Sequence, residues 1–169
     1  MRADREKWDK KHKARSQPPA VNGLLREWAP TLCSGRALDL ACGLGQNSLF
    51  LATLGFCVDA VDISPIALAR IDDPKITTLE QDMDSFTITP GAYDLILNTF
   101  FLERRLFDGI SRGLAPGGVL LFETWLESST VVRTPAFKLR SGELAQAFAD
   151  LEILSYGEQD GKASLMAKK

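Results

Sequence analysis

No stretch of the 169 residues approaches 18 uninterrupted apolar positions, so the sequence offers no candidate transmembrane helix. The first fifteen residues are charged where a secretory leader would need an apolar core, and a soluble, cytoplasmic chain with no membrane partner is expected. Cysteine is scarce: Cys33, Cys42 and Cys57 are odd in number and lack metal-ligand spacing. That argues against a disulfide framework or a metal module and favours reduced thiols. Net charge is small, at −2, which argues against a nucleic-acid footprint spread over the surface. Internal repeats, low-complexity tracts and linkers are missing too. With 45% apolar residues, the expectation is one domain over residues 1–169 with a substantial core.

The charge that is present is uneven. Residues 1–15 hold seven Lys/Arg against Asp4, Glu6 and Asp9, a net of +4, so the rest of the chain carries −6. A run of this kind reads first as a solvated arm or exposed helical face. The other reading is an arm, residues 1–17, that closes over an anionic or carboxylate-bearing ligand. His12, the only histidine, reads as a surface residue within it.

Strand and helix signals alternate along the rest. Pro18 and Pro19 lead a helix over 19–29, then come a buried strand over 36–41 and a helix over 46–54 with Gly55 at its C-cap. A strand over 57–61 precedes a helix capped by Ser64 with Pro65 first. Strands follow at 76–80, 93–98 and 119–124, with a helix over 102–114 before the last. Ser141 and Glu143 read as a capping box opening a helix to about 149. Strands at 151–156 and 163–167 flank a turn at 157–161 and must be antiparallel to each other, because so short a turn cannot join parallel strands. The class is α/β: a doubly wound, mostly parallel sheet with helices on both faces and an antiparallel C-terminal hairpin.

The chemistry concentrates where the first strand, ALDLA, runs into CGLGQN and the second strand ends at Asp62, 17 residues past Gly45. Gly43 and Gly45 can take backbone angles closed to other residues and let main chain approach a ligand closely. An acid ending the next strand can accept from two adjacent ribose hydroxyls. Together they point to an adenosine-containing cofactor held over the end of a parallel sheet. A nicotinamide-dependent dehydrogenase would want a third glycine at position 48, where Ser48 stands.

These residues resemble the class I S-adenosylmethionine-dependent methyltransferases over nearly the full chain, most closely the small bacterial tellurite-resistance-type members. The family's acid-x-Gly-x-Gly-x-Gly motif stands here as Asp39-Leu40-Ala41-Cys42-Gly43-Leu44-Gly45, with Ala41 in place of the first glycine. The resemblance implies a seven-stranded Rossmann-like sheet and S-adenosylmethionine (SAM) as cofactor, with S-adenosylhomocysteine as product. It assigns to the cofactor Asp39, Ala41, Cys42, Gly43, Gly45 and Asn47 at the turn, and Asp62 with Ile63 at the ribose. Asp82 and Met83 fall at the adenine, and Asn98 at the methionine moiety. Trp8-Asp9-Lys10-Lys11-His12 resembles a Trp-Asp-x-x-Tyr arm that folds over the cofactor, making Trp8 and His12 lid candidates. FFLERRLF at 100–107 resembles a family stretch but departs from it at Phe100, Glu103 and Arg105.

Methyl transfer from a sulfonium needs placement more than acid–base help, and no catalytic base stands out among Glu103, Glu123 and Glu127. A soft anionic nucleophile, a thiolate or chalcogen anion, would need none. Little chain remains outside the core for recognition, only the arm and a loop over 126–140, so a small-molecule acceptor is expected. Phe100, Phe101 and Trp125 are candidates for its apolar walls, joined by Phe137, and Arg104, Arg133 or Arg140 for an anion. A SAM-binding sensor or partner domain without catalysis is the alternative function.

Overall fold

The computed structural model of the protein describes residues 2–131 and 134–169. Seven strands form one sheet in the order β3-β2-β1-β4-β5-β7-β6. The chain forms two compact units, Met1–Phe86 and Thr87–Lys169.

The first unit is built on β1 (Arg36–Leu40), β2 (Cys57–Asp62) and β3 (Ile76–Glu80). β1 pairs in parallel with β2 from Arg36↔Cys57 to Leu40↔Val61, and β2 with β3 from Val58↔Ile76 to Asp62↔Glu80. β1 and β2 are apolar along most of their length because a central parallel strand is covered on both faces. Four helices accompany them: α1 (Arg2–Lys13), α2 (Gly23–Trp28), α3 (Gln46–Thr53) and α4 (Pro65–Leu68). α2 is shorter than the expected 19–29. Asn22 accepts the Leu25 N–H and sets the first turn there, so the prolines lie ahead of the helix. Ser64 caps α4 as expected, accepting from Ala67 N at 3.2 Å, and Gly55 closes α3 at φ +94°.

The second unit holds β4 (Tyr93–Thr99), β5 (Leu114–Trp125), β6 (Glu152–Gln159) and β7 (Lys162–Lys168), with α5 (Phe107–Gly113) and α6 (Glu143–Ala147). The helix expected over 102–114 is split. The Glu103 carboxylate accepts from Arg105 N and starts a single 3-10 turn, Arg104–Leu106, before α5 begins. β5 begins five residues ahead of its expected start, because Leu114 pairs with Tyr93 before Val119 pairs with Leu95. The Pro116-Gly117-Gly118 turn is therefore a bulge within the strand. At Gly118 a side chain is impossible, since a Cβ would lie 2.8 Å from the Ala115 carbonyl oxygen.

Ser141 does not cap α6. Gly142, at φ +77°, takes that position, and the Ser141 hydroxyl donates to Glu158 at 2.6 Å instead. The terminal turn is tighter than 157–161. Asp160 (φ +52°) and Gly161 (φ +71°) form a two-residue turn whose handedness matches strand twist, and Gly157 lies inside β6. β6 and β7 pair antiparallel, as so short a turn required, and β7 also runs antiparallel to β5 from Val119↔Lys168 to Trp125↔Lys162. Phe107, Phe122 and Phe148 meet at ring-centre distances of 5.3–6.0 Å and anchor this unit's core.

Candidate functional site

The glycine turn of the first unit is held by main-chain bonds before any side chain contributes. Cys42 N donates to Val61 O at 3.0 Å and Gly45 N to Cys42 O at 3.0 Å, tying the ends of β1 and β2 together. Gly43 and Gly45 sit at φ +56° and +76°. A Cβ on Gly45 would lie 2.5 Å from the Ile71 side chain, so this glycine is required by packing as well as by backbone.

Ala41, where the family pattern has glycine, is itself left-handed at φ +53°. That conformation costs an L-residue on the order of 1–2 kcal/mol. Glycine would relieve it at an unfolded-state entropy cost of about 0.4–1 kcal/mol. Ala41→Gly is expected to raise the denaturation midpoint by a net of about 0.5–1 kcal/mol in stability. A lower midpoint would mean that the Ala41 methyl packs more favourably than its backbone is strained.

Asp62 braces the turn. One carboxylate oxygen accepts from Gly43 N at 2.8 Å and the other from Ser64 N at 2.9 Å, and the residue is buried. Each oxygen keeps a lone pair directed elsewhere. Asp39 is completely buried; Ser48 Oγ donates to its Oδ2 at 2.6 Å, while Oδ1 has no hydrogen-bond partner. Burial pushes the Asp39 pKa up to about 7, the Ser48 hydrogen bond opposing and the Asp62 charge adding. Gln46 Oε1, at the start of α3, is likewise buried and unpartnered. An orphaned carboxylate oxygen and an orphaned amide oxygen beside one glycine turn suit a ligand rich in donors or positive charge.

The other candidates in this unit fall as follows. Ile63 is partly buried beside Asp62. Cys42 is packed with Ala60, Leu68, Ile71 and Ile76, and burial drives its thiol pKa well up, so it is a packed residue rather than a nucleophile. Asn47 is buried with its Oδ1 accepting from Asn22 N at 2.9 Å, a tie between α3 and α2. Asp82 forms a turn in which Oδ1 accepts from Asp84 N at 3.0 Å, and Met83 beside it is buried.

The basic arm is the largest departure. It is a helix with one packed face. Its lysines and Arg5 are exposed, but Trp8 and Asp9 are half-buried and His12 is buried at 8% exposure. The surface reading of His12 is therefore wrong. Spacing of three and four residues brings Trp8, Asp9 and His12 to one side, and the charge around them disguises it. Asp9 accepts from Ser64 Oγ at 2.5 Å, Arg5 pairs with Glu80 at 2.9 Å, and Arg70 donates to Arg15 O at 2.7 Å. The Trp8 and His12 rings stack at 5.7 Å. His12 Cε1 lies 3.5 Å from where a Gly43 Cβ would stand, and Nδ1 is buried without a partner. Burial lowers the His12 pKa, with Asp62 opposing. Asp9 was not singled out from sequence; its place within Trp-Asp was the available signal.

In the second unit, Asn98 is buried at the end of β4 and its Nδ2 donates to Phe101 O at 2.8 Å, closing the loop that follows. Phe100 is left-handed at φ +56°, its ring stacked on Trp125 at 4.8 Å. Phe101 is partly buried and Phe137 half exposed. Arg104 is engaged by protein: Nε and Nη2 grip the Glu143 carboxylate at 2.5 and 3.0 Å, and Nη1 and Nη2 donate to Ala136 O and Lys138 O, each at 3.0 Å. That fork holds the 134–140 segment against α6, which leaves one N–H for any anion. Arg140 is exposed and lies 3.7 Å from Glu143, and Arg133 lies outside the described residues. Sequence reasoning passed over Lys162 and Ser164, which flank the buried Glu123; nothing but their position after the hairpin turn marked them.

Comparison with known proteins follows the same lines. The family model described as tellurite resistance protein TehB matches residues 7–166. Hemagglutinin 1 of Eikenella corrodens is 32% identical over 92% of this chain and 56% of its own length. The probable S-adenosyl-L-methionine-dependent methyltransferase TehB of Haemophilus influenzae is 28% identical over 85% of this chain and 55% of its own. The chain thus spans about half the length of these relatives. The crystal structure of TehB from Haemophilus influenzae has the same fold, with a TM-score of 0.77 over 96% of this chain and 67% of that one at 24% identity.

Proposed function

The chain belongs to the family of tellurite resistance protein TehB, and on that premise we propose that it transfers a methyl group from SAM to a small acceptor. The observation that carries this reading is the orphaned, fully buried Asp39 carboxylate oxygen beside a left-handed glycine turn. SAM is cationic at its amine and its sulfonium and carries adenosine hydroxyls, and the residues present fit it. Asp39 and Gln46 would receive donors of the methionine end. Asp62 would use its remaining lone pairs for the ribose, with Asp82 and Met83 at the base. When bound, the cofactor supplies an activated methyl group on a good leaving group.

The protein's own work is to hold and to exclude water. In-line placement of two reactants can supply on the order of 7–11 kcal/mol of the barrier. α1 acts as a strap in this reading: Asp9 fastens it to Ser64, and His12 lies against the glycine turn with its Nδ1 available to a ligand atom. The preferred acceptor is a soft, already anionic nucleophile, which needs no base. Glu123, the most buried of the candidate carboxylates, is committed to Ser164 and Lys162.

Calorimetry with SAM and release of S-adenosylhomocysteine over a panel of thiols, chalcogen oxyanions and phenols test the proposal. Binding with turnover on a thiol or chalcogen acceptor is expected, and deletion of residues 1–17 should weaken SAM at least about tenfold through loss of the strap. SAM binding without turnover on any acceptor would remove the catalytic part of the proposal. Unchanged retention in the truncated chain would remove the strap.

A further inference from the structure

Two unfavourable features sit side by side in the second unit, at the carboxyl ends of β4 and β5, the sheet edge at which open α/β folds receive ligands. Phe100 holds a left-handed backbone at φ +56°, with its N–H fixed to Glu123 O at 2.7 Å and its ring stacked on Trp125 at 4.8 Å and 27°. A bulky residue rarely adopts that conformation, and strain of this kind collects where a site needs a side chain aimed. The Trp125 Nε1, one stacking distance away, is buried with no hydrogen-bond partner. An indole nitrogen can only donate, so the missing partner is an atom with a lone pair.

The third element is charged. Lys162 Nζ lies 5.9 Å from the centre of the Phe100 ring and 3.5 Å from Glu123 Oε2. The two ends of that ion pair are unequal: the Lys162 side chain is 32% exposed and that of Glu123 only 8%. Glu123 also accepts from Ser164 Oγ at 2.8 Å, so the carboxylate holds the ammonium from beneath. The separation suits an ion pair and is long for a hydrogen bond, so the ammonium can still donate to an anion. What this corner offers is positive charge, an unused N–H and aromatic faces.

We infer that Lys162 and the Trp125 indole N–H together receive the anionic head of the methyl acceptor, a small planar anion lying against the Phe100–Trp125 pair. This deepens the methyl-transfer proposal and rests on it. Lys162 selects for charge, Trp125 for a lone-pair atom, and Phe100 for a flat apolar body. Glu123 and Ser164 are positioning residues that act through Lys162. Because the indole nitrogen is covered while the ring itself is partly exposed, pairing requires the ring to turn about its side-chain torsions. That turn makes Trp125 its own reporter.

The test is nuclear magnetic resonance of the indole N–H signals of Trp8, Trp28 and Trp125, with benzenethiolate as probe and S-adenosylhomocysteine present so that no turnover occurs. The Trp125 signal should move downfield on titration while Trp28 stays in place. Thioanisole, its neutral methylated counterpart, should bind at least about tenfold more weakly, Lys162→Met should weaken benzenethiolate about tenfold, and Lys162→Arg should restore it to within about threefold. A stationary Trp125 signal at saturating probe, or equal affinity for probe and methylated counterpart, overturns the inference. Calorimetry with SAM on the same protein before S-adenosylhomocysteine is added keeps the two readings apart: failure to bind SAM would overturn the methyl-transfer proposal, whereas SAM binding with a stationary Trp125 overturns only the anion subsite.

Discussion

Asp39→Asn should make the ligand-free protein more stable at pH 8 by about 2 kcal/mol, and the sign should reverse below pH 4, where the variant should be less stable by about 2 kcal/mol. The folded-state pKa of Asp39 is raised to about 7 by burial, against an ordinary carboxylate value of 3.8. A group whose folded pKa is raised contributes most below its unfolded pKa, because the native state then holds the proton more tightly. That contribution is lost as pH climbs from about 4 through 7, and the ionised carboxylate above pH 7 costs on the order of 4 kcal/mol, since each pKa unit is about 1.4 kcal/mol. Asparagine carries no charge and keeps an acceptor for Ser48. Its amide adds a donor where Asp39 Oδ1 has no partner, at a cost of about 1–3 kcal/mol, which sets the smaller net figure. Denaturant titrations at pH 4, 6 and 8 measure it. Parallel pH profiles for the two proteins would show that Asp39 does not titrate in this window. The same substitution should weaken SAM, because a bound cation favours the ionised carboxylate. Binding to the native residue should release protons near pH 7, measurable by calorimetry in buffers of different ionisation enthalpy.

Asp62→Ala should lower stability by about 2–5 kcal/mol. The carboxylate takes two backbone N–H groups, Gly43 in the glycine turn at 2.8 Å and Ser64 at the cap of α4 at 2.9 Å. Alanine leaves both without an acceptor in a buried setting, at about 1–3 kcal/mol each. Asp62→Asn separates the bracing from the proposed ribose contact. It retains one acceptor oxygen, so the fold should survive with about half that loss, while SAM affinity falls by about 1–3 kcal/mol. If Asp62→Asn binds SAM as the parent does, the ribose assignment is wrong and Asp62 is a brace alone.

The parallel core was legible because its signals are local and agree with one another. The apolar runs at 36–40, 57–62 and 93–99, the glycines at 43 and 45, and Ser64-Pro65 each name a strand, a turn or a helix start without outside help. What escaped depended on partners distant in sequence. His12 is buried because α1 finds Asp9 a partner in Ser64, 55 residues away, and no local pattern in a run of lysines announces that. Ser141 stands two residues before Glu143, one short of the capping-box spacing; its hydroxyl donates to Glu158, 17 residues on, and Gly142 takes the cap with a positive φ. Leu114 joined β5 through a single pair across a bulge that the Pro-Gly-Gly turn concealed. For the candidate site, the turn and its two acids were legible as a motif. The division of labour was not: Asp39 left with an unmet oxygen and Asp62 bracing main chain with one N–H on each oxygen follow from three-dimensional contacts alone.

The sheet order has a consequence for synthesis on the ribosome. β7, later in sequence than β6, lies between β5 and β6, and among the described residues β6 pairs with β7 alone. Residues 152–159 therefore have no docking edge when they emerge, and must wait until 162–168 have followed them and turned back through Asp160-Gly161. The hairpin is a local contact and closes fast, on the order of microseconds, so it can arrive at β5 as a finished unit. Assembly of this half of the sheet is thus coupled to the end of translation of residue 168 rather than proceeding strand by strand, and a nascent chain halted before that point presents β5 with an open edge.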